Sequence, residues 1–422
     1  MNTFKPAPSC TDINEYGSLR AHDALNLILE RVEPVSGTEQ IPLQHAGGRV
    51  LAQSIRSDFN VPAHTNSAVD GYAIRGRDLD SAGPSIEFRI IGTALAGEPF
   101  PGTVGPSECV RIMTGAVLSR GADTVLMQEH VEIGDRVIRI QGTHRSGDNV
   151  RPAGEDIRQG ETILDPGRLC TPADIGLIAS LGRGEVRVKR PIRVGLLSTG
   201  TEIRSIGTPL EEGTLYDSNR HILQAALQKL PVEISDYGII PDDQVILNQT
   251  FANAERNNDI IISTGGVSVG DADHTRECIE ALGQVVFSKV AIKPGRPLTF
   301  ARLSSGFFFG LPGNPVAVMV TYYQFVLPAL KKLAGIEPMP KVLTLRAQTL
   351  NRFRKKPGRT EYQRAILSRD ENGSWLVAST GRQGSGILRS MSLANAFVIL
   401  DHDESIVERG EEVTVQPFET LV

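Results

Sequence analysis

Residues 259–278, DIIISTGGVSVGDADHTREC, decide the fold and point to the site. A short apolar run leads into a loop with three glycines, and the loop ends in Asp271 and Asp273 at the start of a helical pattern. Closely spaced glycines let backbone N–H groups surround an anion, and a helix start adds its positive end. Carboxylates beside such a loop suit phosphate when a metal cation lies between them. The stretch therefore predicts an anion site with a metal, and an ordinary βα turn is the alternative.

Around this stretch, residues 191–335 alternate apolar strands with helical patterns. The strands are IRVGLLS, ISDYGII, DIIIS and FFFGL, and the helical patterns include NRHILQAALQKL and VAVMVTYYQFVLPALKKL. This alternation predicts βαβ units and a parallel sheet that is covered on both faces. Because ligands bind at the carboxyl ends of parallel strands, the loops after these strands are the candidate site.

Four such loops, after IRVGLLS, DIIIS, VVFSKVAI and FFFGL, carry groups that can hold an anion or a cation. Their candidate residues are Thr199, Gly200 and Glu202; Gly265, Gly266, Ser268 and Gly270; Lys289, Lys293 and Arg296; and Pro312, Gly313, Asn314 and Pro315. Asn314 can also cap a helix that begins at Pro315, which is a structural alternative for the last loop. Phosphates bridged by a divalent cation satisfy this mixture of donors, cations and acids better than an apolar ligand would.

Three further acids have structural alternatives. Asp242 and Asp217 stand where helix N-caps are expected, and Asp156 can close a turn. Asp70 is less ordinary, because it lies in a loop of small residues, NSAVDGYAIRG. At this point Asp70, Asp156, Asp217 and Asp242 all stay open between a structural and a functional role.

The region after residue 336 returns to short strands, namely VLTLRAQ, TEYQRAIL, SWLVAS, AFVIL and EVTVQPF. Its turn TGRQGSG, with Ser385, resembles an oxyanion-binding turn. Arg364 lies in the same region, although a lone arginine is more often a solvated surface residue.

The rest of the chain predicts the domain organisation of a multidomain α/β protein. Residues 19–32 predict a helix with Ser18 available as its N-cap, a second helix is predicted near 172–181, and strands such as SIEFRIIGTAL and DRVIRIQGT fill the region between. The predicted domains are a discontinuous N-terminal domain (1–57 and 150–190), a β-rich insert (58–149), a central parallel-sheet α/β domain (191–335) and a C-terminal small β-barrel (336–422).

Composition limits the function classes. A chain of 422 residues is too long for a single hydrophobic core, which predicts several domains. A net charge of −5 argues against nucleic-acid binding. Neither a Walker sequence ending in GK[ST] nor G-x-G-x-x-G nor HExxH occurs, so ATPase, dinucleotide-binding and zinc-protease interpretations lose support. Cys10, Cys109, Cys170 and Cys278 form no CxxC pair. With no signal core and no apolar run of spanning length, we expect a soluble cytoplasmic protein that binds no membrane.

Six motifs then stand in order along the chain: PAHTNSAVDGYA (62–73), RIMTGA (111–116), STGTE (198–202), STGGVSVGDAD (263–273), AIKPGRP (291–297) and GLPGNPVA (310–317). In this set and order they strongly resemble the molybdopterin molybdenumtransferases of the MoeA type, which include the E domain of gephyrin. The resemblance covers nearly the whole chain. The GGVSVG loop alone is shared with the shorter molybdopterin adenylyltransferases, whereas the Asp70 motif and the C-terminal β domain are not.

This resemblance implies a function and a site. The implied reaction inserts molybdate into adenylylated molybdopterin with Mg²⁺ and releases AMP and molybdenum cofactor, at a site between the subunits of a homodimer. A molybdopterin adenylyltransferase is the implied upstream partner. The implied residues are Asp70 and Thr114 from the insert, Glu202, Asp242, Asp273, Lys289 and Lys293 from the central, molybdopterin-binding domain, Arg364 and Ser385 from the C-terminal domain, and Asp156; Glu202, Asp242 and Asp273 are the metal candidates.

Two departures from the family pattern occur. Arg296 stands where many relatives have Lys, and the loop opens STGG where relatives have SSGG; arginine keeps the charge but changes the hydrogen-bond geometry. A tungstate-selective paralogue, an enzyme of a molybdopterin-related nicotinamide pathway and a gephyrin-like scaffold that binds peptides are the alternatives. The chain retains every acidic and basic residue named above, which favours an enzyme over a scaffold protein.

Overall fold

A computed structural model describes residues 18–80, 86–265 and 274–418. Four predicted site residues, Gly266, Ser268, Gly270 and Asp273, lie outside the described residues, as does Asp271. Among the described residues, no helix is both long and apolar enough to cross a bilayer.

The first described segment holds the predicted N-terminal helix. Ser18 is not its N-cap, because the helix begins two residues later with Arg20 at the cap position, and no side chain caps it. The chain at Leu19 instead forms a β-bridge with Val290, which keeps it extended there. The elements are α1 (Ala21–Arg31), β1 (Thr38–Pro42) and β2 (Ile55–Arg56).

The next segment contains a six-stranded sheet. The strand order is β7-β4-β6-β5-β9-β8, and every pairing is antiparallel except β5 with β6. The predicted strands within SIEFRIIGTAL and DRVIRIQGT are present as β5 and β9. The strands are β3 (Asn66–Ser67), β4 (Gly71–Ile74), β5 (Glu87–Ala94), β6 (Glu108–Ile112), β7 (Thr124–Met127), β8 (Val131–Ile133) and β9 (Val137–Ile140).

The chain then returns to its first segment. β12 pairs antiparallel with β1, β11 pairs antiparallel with β2, and the two stretches share a hydrophobic core. The predicted second helix is present, and it begins with a capping box between Thr171 and Asp174 and with Pro172 in its first turn. The elements are β10 (Val150–Arg151), β11 (Thr162–Leu164), α2 (Pro172–Ser180) and β12 (Glu185–Lys189).

The central region forms a six-stranded sheet in the order β16-β13-β17-β21-β20-β18. The first four strands are parallel, as predicted, and β20 and β18 extend the sheet antiparallel. The elements are β13 (Ile192–Thr199), β14 (Ile203–Arg204), β15 (Leu215–Tyr216), α3 (Ser218–Leu227), β16 (Val232–Ile240), α4 (Gln244–Asn257), β17 (Ile260–Thr264), α5 (His274–Leu282), β18 (Gly283–Phe287), β19 (Ile292–Lys293), β20 (Thr299–Leu303), β21 (Phe307–Leu311), α6 (Pro315–Thr321) and α7 (Leu327–Leu333), with a π-helical turn, Tyr322–Val326, between the last two.

The two faces of this sheet bury separate cores. Helices α3 and α6 cover the face that carries Leu196 and Ile262, whereas α4 and α5 cover the face that carries Leu197 and Ile261. Neighbouring residues of a strand point to opposite faces, so each continuous apolar run fills both cores.

The interpretation of VVFSKVAI as one strand of the parallel sheet is wrong. Its first half belongs to β18, an antiparallel edge strand, and β19 leaves the sheet to pair in parallel with β24 of the C-terminal region. Lys293 is therefore held by the C-terminal domain, since its strand register pairs it with Glu361.

The C-terminal region closes into the predicted small β-barrel. The pairings run β24-β25-β22-β28-β26 and return from β26 to β24, which leaves no open edge in this ring. The elements are β22 (Leu345–Thr349), β23 (Phe353–Arg354), β24 (Thr360–Arg369), β25 (Trp375–Ser379), α8 (Leu388–Leu393), β26 (Ala396–Leu400), β27 (Ile406–Val407) and β28 (Glu412–Pro417).

Candidate active site

The carboxyl ends of β16, β13, β17 and β21 lie side by side, as the sequence predicts for a βαβ sheet. Thr199 is in register with Ile240, and Ser198 is in register with Thr264. We call the residues that follow these ends the strand-end edge; they are 200–202 after β13, 241–242 after β16, 265 after β17 and 312–314 after β21. Predicted candidates from separate loops thus meet at one edge of the sheet.

Close backbone approach explains the glycine at position 265. Its φ is +81°, and a Cβ atom there would lie 2.2 Å from the carbonyl oxygen of Thr199. The N–H of Gly265 donates to the carbonyl of Leu311 at 3.2 Å, which ties together the ends of β17 and β21. Only glycine combines this conformation with this contact.

The hydroxyl groups of the last strand residues before the edge are buried. Ser198 Oγ and Thr264 Oγ1 are 3.0 Å apart and both residues are buried. Thr199 is 2% exposed, and its Oγ1 is buried with no hydrogen-bond partner among the described residues. The predicted threonine hydroxyl is therefore inaccessible, whereas the side chains of Thr201, Glu202, Asp242 and Asn314 are exposed at the edge.

Two predicted metal ligands are exposed at adjacent strand ends. Glu202 follows β13 and Asp242 follows β16, and both side chains lie at the surface. Carboxylate oxygens are the ligands that Mg²⁺ prefers, so this donor set fits the ion. The described residues contain no group of three acids, histidines or cysteines that could hold a metal by itself, and Asp273, the third predicted ligand, lies outside them.

The capping alternative for Asp242 is wrong. Asp243 is the N-cap of α4, and its carboxylate accepts from the backbone N–H groups of Val245 and Ile246, each at 3.0 Å. Asp217 does cap α3, since it accepts from the N–H of Arg220 at 3.1 Å, and it pairs with the guanidinium of the same residue. Asp217 thus has a structural role, whereas Asp242 has no capping role.

The fourth loop connects the edge to the C-terminal domain. Pro315 begins α6 as predicted, but Asn314, at the N-cap position, makes no side-chain capping bond. The carbonyl of Gly313 accepts from Asn219 Nδ2 at 2.7 Å, and the N–H of Val316 donates to the carbonyl of Ser385 at 3.2 Å. The TGRQGSG turn therefore lies against the first turn of α6.

A cavity of about 270 Å³ lies between residues 293–294 and the C-terminal domain, room for an oxyanion together with several waters. We call it the Arg364 pocket. Four cationic residues and, among the described lining residues, a single acid line it. Its lining is Lys293, Pro294, Arg352, Phe353, Arg354, Glu361, Tyr362, Gln363, Arg364, Ser379, Gly381 and Gln383.

Arg364 is buried, so the interpretation of it as a solvated surface residue is wrong. It is 1% exposed; its Nε donates to Ser390 Oγ at 3.0 Å and a terminal nitrogen donates to the carbonyl of Gly384 at 2.9 Å. Burial lowers the pKa of Arg364 to about 10, which leaves the guanidinium charged at neutral pH. No described carboxylate forms an ion pair with it, and a buried charge without a counterion is costly unless an anion binds.

Lys293 is the one residue of its predicted trio that lines this pocket within the described part of the chain. Its Nζ lies 3.0 Å from Glu361 Oε1. Lys289 is half-buried with its carbonyl bonded to the N–H of Leu19, and Arg296 is buried with its carbonyl bonded to the N–H of Val290. The structure thus brings Lys293 and Arg364 together and leaves Lys289 and Arg296 outside the lining.

Asp70 and Thr114, predicted to act together, are in contact. Asp70 Oδ1 accepts from the N–H of Thr114 at 2.7 Å and from its hydroxyl at 2.8 Å. The backbone bond and then the hydroxyl bond lower the pKa of Asp70 below its usual value, so it is a carboxylate at neutral pH. Asp156 is exposed, and its N–H donates to the carbonyl of Val61 at 3.0 Å.

Comparison with known proteins identifies the family. The chain matches the MoeA N-terminal region (domain I and II) over residues 19–182, a probable molybdopterin binding domain over 195–332 and the MoeA C-terminal region (domain IV) over 346–418. It is 39% identical to the molybdopterin molybdenumtransferase of Haemophilus influenzae over 96% of this chain and 100% of that protein. The chain belongs to the molybdopterin molybdenumtransferase family.

Two other relatives bear on this membership. The chain is 32% identical to the gephyrin of Dictyostelium discoideum, over 95% of this chain and 62% of gephyrin. A crystal structure of the molybdopterin biosynthesis moeA protein from Pyrococcus horikoshii OT3 superposes with a TM-score of 0.83 at 31% identity, covering 95% of this chain and all of that one. As a member of the molybdopterin molybdenumtransferase family, the protein is a transferase of molybdenum cofactor biosynthesis, as the motifs imply.

Sequence reasoning missed several residues that shape the Arg364 pocket. Glu361 and Gln363 come from β24, and Gln383 Oε1 accepts from the backbone N–H of Arg364 at 2.9 Å. The available signal was in TEYQRAIL, where two charged side chains and an amide interrupt an otherwise apolar strand. A strand of this kind that closes a barrel must bury those groups, and buried charges mark functional sites.

Proposed function

We propose that the protein inserts molybdate into adenylylated molybdopterin in a Mg²⁺-dependent reaction that releases AMP and molybdenum cofactor. The observation that carries this proposal is the buried guanidinium of Arg364, which lacks a carboxylate partner among the described residues; Arg364 is also one of the residues that, with Lys293, line a single pocket. The turn next to this pocket contacts the first turn of α6, which directly follows the strand-end edge, through Ser385 and Val316. An oxyanion pocket beside a phosphate-binding edge matches the two anions that the reaction requires.

The Arg364 pocket suits molybdate. Molybdate is a tetrahedral dianion whose oxygens only accept hydrogen bonds, and Arg and Lys only donate them. Hydrogen bonds between ionised partners are about twice as strong as neutral ones, and more so where water is excluded. We assign Arg364 and Lys293 to molybdate binding, and Ser385 to the turn that joins this pocket to the edge.

The strand-end edge suits the phosphoanhydride between pterin and AMP. Gly200 and Gly265 expose backbone there, and Glu202 and Asp242, with Asp273, supply oxygen ligands for a divalent cation. A bound Mg²⁺ would neutralise phosphate charge that builds up during cleavage. In the reaction a water oxygen adds to phosphorus, the bridging P–O bond breaks, AMP leaves and the water protons are released. The edge contributes by holding the two phosphates in position.

A homodimer would complete the site. The bonds described for Asp70 and Thr114 lie within the insert, and Asp70 Oδ2 is left as an acceptor that can face a second subunit. We propose that the insert of one subunit faces the strand-end edge of its partner. The adenylylated substrate requires a prior adenylyl transfer, for which a molybdopterin adenylyltransferase is the proposed partner, and the reduced thiols of Cys109 and Cys170 are consistent with the cytoplasm.

A matched pair of variants tests the proposal, namely Asp242→Asn and Asp243→Asn. We expect Asp242→Asn to reduce Mg²⁺-dependent AMP release at least ~10-fold with an unchanged melting temperature, because this carboxylate has no capping role. Asp243→Asn should instead keep most of the activity, since asparagine also caps helices well. The assay measures AMP release from adenylylated molybdopterin at saturating molybdate. Equal activity of Asp242→Asn and wild type would remove Asp242 from the reaction.

Two further measurements complete this test. Asp273→Ala should abolish molybdate-dependent AMP release while the dimer persists in sedimentation analysis; unchanged release would remove this carboxylate from the mechanism. Competition between molybdate and tungstate in the same assay distinguishes the two oxyanions. A clear preference for tungstate would mean that tungstate, and not molybdate, is the substrate.

A further inference from the structure

The side chain of Gln383 holds the backbone of Arg364 at the point where strand β25 ends. β25 pairs with β24 as far as its last residue, Ser379, which is in register with Ala365, so Arg364 lies just beyond the end of this pairing. The amide of Gln383 bonds there in place of a strand. Its Oε1 accepts from the N–H of Arg364 at 2.9 Å, and its Nε2 donates to the carbonyl of Arg364 at 3.0 Å.

The same turn also bonds the guanidinium of Arg364. Nη2 of Arg364 donates at 2.9 Å to the carbonyl of Gly384, the residue that follows Gln383. The backbone and the side chain of Arg364 are thus bonded to two consecutive residues of one turn, which closes a ring of hydrogen bonds. Together with the bond from Nε to Ser390 Oγ, the described contacts use two of the five N–H groups of the guanidinium. The orientation of the guanidinium therefore depends on where this turn lies.

The sequence of the turn gives it little conformational preference of its own. TGRQGSG (380–386) contains three glycines, and Gly381 adopts a φ of +96°. Because glycine has more conformational freedom to lose on folding than any other residue, such a turn depends on bonds to its surroundings. The Gln383 amide ties the middle of the turn to the barrel through Arg364 and through Ser379 Oγ, which lies 3.2 Å from Nε2. Loss of this amide would leave the position of the turn less well defined.

We propose that Gln383 is a positioning residue for oxyanion binding, which acts through Arg364 by holding its backbone and the turn that orients its guanidinium. A binding group that is already in place loses less freedom when the ligand binds, so affinity rises without a new contact. If only a fraction of the molecules hold the turn in this arrangement, the apparent affinity falls by that fraction. The inference rests on the proposed function, since it concerns the same oxyanion pocket.

Gln383→Met tests this role by calorimetric titration of the whole protein with molybdate at neutral pH. Methionine has a similar length but bonds to neither backbone group of Arg364, whereas the carbonyl of Arg364 keeps the N–H of Thr380 as a donor at 3.2 Å. We expect the dissociation constant for molybdate to rise ~10-fold, which corresponds to about 1.4 kcal/mol and to one or two hydrogen bonds. A dissociation constant equal to that of the wild type would overturn the inference.

Two further variants show whether the effect comes from the Gln383 amide. Thr380→Val is the matched control, because it removes a hydroxyl that donates to the same carbonyl of Arg364 at 3.2 Å and leaves Gln383 in place. It should raise the dissociation constant less than ~3-fold. Gln383→Asn keeps a polar amide but is one methylene shorter, so it should weaken binding as Gln383→Met does. Wild-type affinity of Gln383→Asn, or equal losses in Thr380→Val and Gln383→Met, would contradict the proposal.

A double-mutant cycle with Arg364→Met distinguishes positioning from direct contact, because Gln383 also lines the pocket. Positioning through Arg364 predicts that Gln383→Met changes the dissociation constant less than ~3-fold once residue 364 is methionine. A direct bond from the Gln383 amide to the oxyanion predicts the same ~10-fold loss in both backgrounds, and that result would refute the positioning role. A lower melting temperature with unchanged affinity would show that Gln383 only stabilises the fold, which also refutes it.

Arg364→Met by itself separates this inference from the proposed function. If that variant binds molybdate as the wild type does, the pocket is not the oxyanion site and the proposed function fails. If it loses molybdate binding while Gln383→Met binds molybdate as the wild type does, only the positioning role of Gln383 fails.

Discussion

The strand-end edge and the Arg364 pocket are built in different ways. At the edge the backbone provides the structure, since Gly265 adopts a positive φ and approaches the carbonyl of Thr199 too closely for any Cβ. In the pocket, side chains do so, since Lys293 of β19 pairs with Glu361 of β24, and Arg364 of the same strand is held by Ser390 and by the carbonyl of Gly384. The edge should therefore be sensitive to small changes in backbone shape, and the pocket to the loss of single charges.

The two regions also differ in how their charge is balanced. The edge exposes carboxylates that require a cation, whereas the pocket is lined by one buried cation, Arg364, and by three exposed cations, Lys293, Arg352 and Arg354. We infer that the edge serves the phosphoanhydride and the pocket serves the oxyanion. Variants in the two regions should then change different kinetic parameters, and the predictions below test this separation.

The largest effect should follow Arg364→Met. Loss of the buried guanidinium removes charge-assisted hydrogen bonds worth about 3 kcal/mol, so half-saturation by molybdate should rise ~100-fold. Arg352→Met is the matched control, because Arg352 lines the same pocket but is 55% exposed and paired with Glu408. Its removal should change half-saturation by less than ~10-fold, since exposed charges contribute little. Similar effects of the two substitutions would show that burial does not govern binding in this pocket.

A smaller effect, on stability, should follow Gly265→Ala. Its methyl group meets the carbonyl oxygen of Thr199 at 2.2 Å, so we expect a loss of about 2–3 kcal/mol, measured as a lower melting temperature. Gly213→Ala is the matched control, because Gly213 has nearly the same φ, +83°, with nothing within 4 Å. That control isolates the conformational cost, about 1 kcal/mol. If both variants melt at the same temperature, the close approach of residue 265 to the carbonyl of Thr199 does not affect stability.

The smallest effect concerns a buried carboxylate that, unlike the guanidinium of Arg364, has partners of opposite charge among the described residues. Asp259 is bonded to Arg190 and Arg193 at the opposite end of the sheet. Burial raises its pKa, but these bonds outweigh burial and lower it to about 2. The stabilisation of about 2 kcal/mol is complete above the ordinary pKa near 3.8 and is lost as the pH falls through about 2.

Melting curves of the wild type and Asp259→Asn as a function of pH measure this contribution. The difference between them should be constant near neutral pH and should disappear as the pH falls from about 4 to about 2. A difference in melting temperature that persists at about pH 2 would mean that the charge of the Asp259 carboxylate does not stabilise the protein.

The comparison also explains what could be predicted from the sequence. The strand-end edge could be predicted because a buried strand, a glycine loop and a helix start are consecutive in the chain. The assignment of a cap to Asp242 missed by one residue, because Asp242 and Asp243 are adjacent acids and only the backbone geometry distinguishes them. The local sequence pattern thus predicts which loops form the candidate site more reliably than it predicts the role of each side chain.

The Arg364 pocket could be predicted only in part. The family motifs pointed to Lys293 and Arg364, but the sequence does not show that β19 leaves the central sheet to pair with β24. That pairing is a long-range contact, and so are the bonds of the buried Arg364 side chain to Ser390 and to the carbonyl of Gly384. The roles of the individual site residues stay predictions, including those of Asp273 and the glycines outside the described residues.

One measurement tests the separation of the two regions most directly. It is the rate of AMP release as a function of molybdate concentration, for Arg364→Met and Asp242→Asn side by side with the wild type. We predict that Arg364→Met raises the half-saturating molybdate concentration and retains AMP release when molybdate is in excess. Asp242→Asn should lower the maximal rate and leave half-saturation unchanged. If both variants changed both parameters equally, the edge and the pocket would form a single site, and the division of roles would be contradicted.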